Sequence, residues 1–212
     1  HVREGDRVMV TWVPRNEEVA QRKAEGAVIT LADGSTAASR NVFTWGDHTI
    51  ADEQYVVPMP DDVPTDVTAI VGCAVMTGVG AALNTAKVQP GSSVVVIGAG
   101  GIGLNVIQGA ALAGAEKVIA IDLEDKKLEF AVEFGATHRI NPSTDGDAVA
   151  KVMELTGDGA DYAFECIGLG ATVSQAYASI RKGGTAVVVG VSNLADTVTL
   201  GPFLMPFQEK VL

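Results

Sequence analysis

Ser93-Val-Val-Val-Ile-Gly-Ala-Gly-Gly-Ile-Gly-Leu104, a run of small residues, and then Lys117-Val-Ile-Ala-Ile-Asp122 form the stretch that decides the fold. Val94 to Ile97 are consecutive apolar, β-branched residues, as in a strand buried on both faces of a parallel sheet. Gly98, Gly100 and Gly103 spell G-x-G-x-x-G where that strand passes into a helix over about Gly101 to Ala113. Gly98 permits the tight turn, Gly100 lets a pyrophosphate approach the backbone, and Gly103 lets helix and strand pack closely. The unpaired N–H groups and partial positive charge at the helix start favour a phosphate. A second apolar strand, Val118 to Ile121, ends in Asp122, about twenty residues past the last glycine. The glycines alone are a weak signal. Strand, glycines, helix, strand and terminal acid in that order point to a dinucleotide site.

Composition narrows the rest. The 212 residues, 47% of them hydrophobic, suffice for one good core plus part of another. A net charge of −11 argues against nucleic acid, which needs a basic face. No uninterrupted apolar run reaches the length of a bilayer span, so no membrane partner is expected. With two cysteines, Cys73 and Cys166, no disulfide framework is implied, and a cytoplasmic location is the expectation.

Residues 1–60 read as β-rich. Val8 to Val13 suits a strand, Gly26 to Ala38 a hairpin turning at Asp33-Gly34, and Tyr55 to Val57 a further strand. The polar segment between Pro14 and Glu25 reads as an exposed connector. A proline-flanked linker, Asp61 to Pro64, precedes helices over about Thr65 to Val71 and Ala74 to Lys87. After Asp122 helices and strands alternate: helix 124–134, strand 138–140, helix 147–156, strand 160–165, helix 172–180 closed by Gly183-Gly184, strand 185–190. That alternation means right-handed crossovers in a parallel sheet. Strands are legible near 94, 118, 139, 161 and 186, whereas two mononucleotide-binding halves need a sixth. The sequence therefore reads as an internal portion of a longer protein, with the sixth strand expected beyond Leu212. The division is 1–60, part of a β-rich domain, and 61–212, a nucleotide-binding domain.

Several motifs resemble the zinc-type medium-chain alcohol dehydrogenases. They are Glu4-Gly-Asp-Arg-Val8, the specific run Val71-Gly-Cys-Ala-Val-Met-Thr-Gly-Val-Gly-Ala-Ala-Leu-Asn-Thr-Ala-Lys-Val88, Gly98 to Gly103, Phe134-Gly-Ala-Thr137, and Phe164-Glu-Cys-Ile-Gly168. The resemblance implies an α/β fold: a doubly wound parallel (Rossmann) sheet behind part of a β-rich, GroES-like catalytic domain. It implies NAD and one catalytic zinc, with Cys73 as one of three protein ligands, the other two and the proton relay lying outside this chain. Zinc would act as a Lewis acid on the alcohol. Thr77 would border the nicotinamide. No cysteine precedes Cys73, so the structural zinc of many members is not expected. The implied partners are a small alcohol, an aldehyde or a thiol adduct of formaldehyde, and a second copy in a homodimer.

Against that background Gly98, Ala99, Gly100, Gly101, Ile102 and Gly103 are the expected pyrophosphate loop. The carboxylate of Asp122 would take the adenosine ribose hydroxyls and repel a 2′-phosphate, favouring NAD over NADP; its alternative role is to cap the next helix. Lys127 occupies a position that contacts the ribose in the family. Ile167, Gly168, Val189, Gly190 and Val191 end strands on the sheet's carboxyl edge, where ligands bind in open α/β folds. Cys166 reads as packing, and His48 and His138 as polar surface positions. Two other functions stay open: a zinc-free quinone or enoyl reductase of the same superfamily, and a non-catalytic nucleotide-binding module.

Overall fold

A computed structural model describes residues 1–11, 28–38, 47–200 and 208–212. The polar connector and most of the stretch from Pro14 to Trp45, where a structural-zinc lobe would lie, fall outside the described residues. Contacts divide the chain into two compact units, His1–Cys73 and Ala74–Leu212.

In the first unit β1 (Val8–Val10) runs antiparallel to β4 (Val56–Pro58), with Met9 opposite Val57. The expected hairpin forms as β2 (Val28–Thr30) and β3 (Thr36–Ala38), and Asp33 turns it by accepting from the N–H of Ser35 at 2.9 Å. Residues 61–73 group with this unit rather than with the nucleotide-binding one, and the reason is visible in Arg7. Its guanidinium donates to the carbonyls of Asp61 (2.9 Å) and Val63 (2.8 Å), fastening the linker ahead of α1 (Thr65–Thr68). Gly72 then lies against Met9 and Val10.

The second unit is built on a five-stranded parallel sheet. Its strands are β5 (Ser93–Ile97), β6 (Lys117–Ile121), β7 (His138–Ile140), β8 (Ala160–Glu165) and β9 (Ile180–Val188), in the order β7-β6-β5-β8-β9. Period-two alternation sends Val94 and Val96 to one face and Val95 and Ile97 to the other. The first face packs on α3 (Gly101–Leu112) through Val106 and Ile107, and on α4 (Asp125–Glu133) through Leu128 and Ala131. The second packs on α6 (Ala148–Thr156) and α7 (Gly170–Ser179) through Val152 and Ala176; a short α5 (Pro142–Asp145) precedes α6. Helices on both faces make the doubly wound sheet that the alternation implies. Strand order reverses at β5, which opens a crevice at its carboxyl end.

Beyond the grouping of residues 61–73, three further departures from the sequence reading concern its elements. The helix expected from Ala74 to Lys87 is α2 (Met76–Gly80) flanked by π-helical turns at Val71–Val75 and Ala81–Thr85. Small residues bring it close to α3: a Cβ on Gly78 would lie 2.6 Å from Cβ of Asn105. By length and composition alone the run Thr65–Thr85 would cross a bilayer, but its Met76–Thr85 part is packed on α3. Next, α7 stops at Ser179 and β9 begins at Ile180, not at Thr185. The pairing shifts between Ala160↔Ile180 and Tyr162↔Thr185, so the Gly183-Gly184 pair is an irregularity within the strand rather than a helix stop. Arg181 is held there by Asp161, Nε to Oδ1 at 2.7 Å. Finally, a sixth position in the sheet is already occupied at Val211. Its N–H donates to Gly184 (3.0 Å) and its carbonyl accepts from Ala186 (2.8 Å), a parallel bridge on β9.

Candidate dinucleotide-binding site

The loop between β5 and α3 sits at the reversal point. Gly98 has φ +95°, a left-handed conformation that costs a side chain, and a Cβ there would lie 2.7 Å from Cγ1 of Ile167. A Cβ on Gly103 would run into the carbonyl oxygen of Gly98, so helix and strand end approach as closely as glycine allows. Gly100 differs. It is the extended N-cap of α3 with no side-chain cap, it is exposed with Gly101, and a Cβ there would meet nothing within 4 Å. The first-turn N–H groups of Gly101, Ile102 and Gly103 have no intrahelical acceptor and face this opening with the positive end of the helix dipole. An anion fits there. Ala99 plays another part than expected. Its side chain is buried and its N–H is already given to Asp122, so it secures the loop rather than facing a ligand.

Asp122 follows β6 with its side chain 12% exposed. Oδ2 accepts from the N–H of Ala99 at 2.8 Å and Oδ1 from the N–H of Glu124 at 3.0 Å. That carboxylate ties the glycine loop to the start of α4, whose N-cap is Glu124 and not the Asp122 of the capping reading. Each oxygen keeps a lone pair for a further donor. Lys127 lies 3.9 Å from Asp122 Oδ1 but only 2.7 Å from Glu124 Oε1. The bond to Glu124, then the charge of Asp122, raises its pKa.

The opposite wall follows β8 and β9. Ile167 and Val191 are exposed there, and Gly168 passes so close to the Val191 carbonyl that no Cβ fits between them. A residue the sequence reading passed over organises this wall. Glu165, the last residue of β8, is fully buried. Its Oε1 accepts from the N–H groups of Ile167 (2.9 Å) and Gly168 (2.8 Å) and from the Thr172 hydroxyl (2.7 Å). Its main-chain carbonyl accepts from Val189 and Gly190, joining the two strand ends. Oε2 is buried without a partner, 2.7 Å from where a Gly190 Cβ would stand. The signal was available: an acid ending an apolar strand, between Phe164 and Cys166, breaks the pattern of a core strand. Cys166 is packing, as expected; burial, and then the charge of Glu165, pushes its thiol up to about 12.

Among the described residues no three His, Cys, Asp or Glu side chains gather as a metal site. Cys73 is exposed in the first unit, and Thr77 is half-buried on α2 in the second. A single thiol does not by itself make a zinc site.

Residues 101–211, more than half of the chain, match the zinc-binding dehydrogenase family. The chain belongs to that family. Among its relatives, the alcohol dehydrogenase class-3 of Cereibacter sphaeroides is 42% identical over 168 residues, covering 76% of this chain and 45% of the relative. The S-(hydroxymethyl)glutathione dehydrogenase of Saccharomyces cerevisiae is 39% identical over 165 residues, covering 76% of this chain and 43% of the relative. Among solved structures, benzyl alcohol dehydrogenase from Acinetobacter calcoaceticus superposes with a TM-score of 0.85 at 28% identity, covering 99% of this chain and 62% of that one. This zinc-binding dehydrogenase sequence thus spans less than half the length of the two curated relatives.

Proposed function

We propose that the chain binds NAD at the carboxyl edge of its parallel sheet and serves a longer enzyme that oxidises an alcohol by hydride transfer. The observation that carries this reading is the junction of Asp122 with the glycine loop: one buried-side carboxylate fixes Ala99 by Oδ2 and keeps capacity for two ribose hydroxyls. The N–H groups of Gly101 to Gly103 hold the pyrophosphate. Ile167, Gly168, Val189, Gly190 and Val191 form the wall along which the nicotinamide half lies, and Thr77 borders its ring. The bound nicotinamide supplies the hydride acceptor. The chain's own part is to hold that acceptor in place and keep water from it.

Cys73 would supply one thiolate ligand to a zinc whose other protein ligands lie outside this chain. Alcohols, including thiol adducts of formaldehyde, are the substrate class; the names of the alcohol and S-(hydroxymethyl)glutathione dehydrogenases among the relatives support that choice. The test is a fluorescence titration with NADH and NADPH, paired with zinc content and alcohol-dependent NADH formation, on the full-length gene product as wild type and as Cys73→Ser. NADH binding in both proteins, with zinc and turnover lost only in Cys73→Ser, is the expected result. Oxidation of NADPH or NADH with a quinone or enoyl acceptor, and no alcohol-dependent NADH formation, would favour a zinc-free reductase, and no nucleotide binding would refute the reading.

A further inference from the structure

We propose that Glu165 biases the oxidation state of the bound nucleotide, its buried carboxylate favouring the cationic nicotinamide of NAD over the neutral ring of NADH. The proposal rests on the dinucleotide reading above, which lays the nicotinamide half along the wall of residues 167–168 and 189–191. The charge sits beneath that wall. Glu165 is fully buried, and among the described residues no lysine, arginine or histidine forms an ion pair with it. Its Oε1 accepts only from neutral donors, the N–H groups of Ile167 and Gly168 and the Thr172 hydroxyl. Oε2 has no donor at all. It lies directly behind the wall, 2.7 Å from where a Gly190 Cβ would stand. The Cys166 thiol registers the same charge, which adds to burial in raising its pKa.

A buried carboxylate without a counter-ion is costly, and bonds to one of its oxygens offset only part of that cost. A cation on the open side of the wall supplies the missing charge. The material between is backbone and the apolar side chains of Ile167 and Val191, and a bound ring displaces water from it, so the attraction is weakly screened. NAD and NADH share the adenine, both riboses and the pyrophosphate. They differ at the ring, which is positive in NAD and neutral in NADH. Contacts of the glycine loop and of Asp122 are common to both forms, so the ratio of the two affinities isolates what the wall does to the ring charge. A Glu165 that only braced the wall would hold both forms alike.

The test is calorimetric titration of the full-length gene product, without alcohol, with NAD, NADH and an NAD analogue whose neutral benzamide ring replaces the pyridinium. Wild type, Glu165→Gln and Glu165→Asp are compared. Glutamine keeps the Oε1 acceptor and removes the charge, whereas aspartate keeps the charge and disturbs the packing. Glu165→Gln is expected to weaken NAD relative to NADH by about tenfold, the size of one charge–charge attraction across such a wall at an effective dielectric of about 20. It is also expected to remove the preference of wild type for NAD over the benzamide analogue. Glu165→Asp is expected to weaken NAD and NADH alike. A ratio in Glu165→Gln within about twofold of wild type would overturn the proposal, as would a Glu165→Asp ratio shifted as far as that of glutamine. Should Glu165→Gln fail to fold, wild type decides: NAD bound no more tightly than its neutral analogue would overturn the proposal. Wild type binding neither NAD nor NADH would instead sink the dinucleotide reading on which the proposal stands.

Discussion

Replacing Glu165 by alanine removes the shared acceptor of the carboxyl-edge wall, and the structure lets the cost be divided. The Thr172 hydroxyl has a second acceptor in the Leu169 carbonyl at 2.9 Å, so it loses little. Ile167 is exposed, and water can satisfy its N–H. Gly168 is buried, so its N–H is left unpaired at about 1–3 kcal/mol. The vacated space in a fully buried site adds about 1 kcal/mol or more. Together these give roughly 2–4 kcal/mol, a large share of the roughly 5–15 kcal/mol that holds a domain together. Glu165→Gln separates the hydrogen-bonding role from simple occupancy. Oε1 stays as acceptor, and the partnerless Oε2 is the atom exchanged, so a cost within about 1 kcal/mol is expected. Urea unfolding of the three proteins measures stability, and an NADH titration measures the wall. Alanine is expected to lower both stability and affinity while glutamine keeps most of each. An alanine variant as stable as wild type, or a glutamine variant as damaged as alanine, would refute the assignment.

Three further outcomes are expected. Gly103→Ala forces a methyl into the Gly98 carbonyl, a backbone atom that cannot swing away, so it should cost about 1–3 kcal/mol or more by thermal melting and abolish measurable NADH binding. Asp122→Ala releases the Ala99 and Glu124 N–H groups together with the proposed ribose acceptors, and NADH affinity should fall by about 10–100-fold, with Asp122→Asn retaining part of it. For Asp161, burial alone would raise the carboxyl pKa, but the Ser93 N–H, the Arg181 guanidinium and the Ser93 hydroxyl outweigh it and hold the pKa below the usual range. A depressed pKa contributes stability above the unfolded value of about 3.9 that is lost as pH falls through the folded value. The stability gap between wild type and Asp161→Asn should therefore be constant above about pH 5 and shrink below about pH 4, as read from urea midpoints.

The glycine loop, Asp122 and the alternation of elements were legible because each depends on local chemistry. Four β-branched residues suit a doubly covered strand wherever they occur, and a left-handed turn asks for glycine at Gly98 whatever surrounds it. The boundary at Cys73 was not legible, because the segment 61–73 is claimed by the distant Arg7 and Met9. The early start of β9 was not legible either: pairing with β8 and the Asp161–Arg181 contact outweigh a Gly-Gly signal that by sequence reads as a helix stop.

The sequence by itself determined the fold class, the glycine loop and the acid that follows it, since spacing along one βαβ unit fixes which residues meet at its end. Only the tertiary structure decided what those groups do with their remaining bonds. Asp122 is spent partly on Ala99, Arg181 is held by Asp161, and the Glu165 carbonyl joins the ends of β8 and β9. Hydrogen-bond partners distant in the chain are set by how strands order in the sheet, and no local pattern encodes which donor reaches which oxygen first.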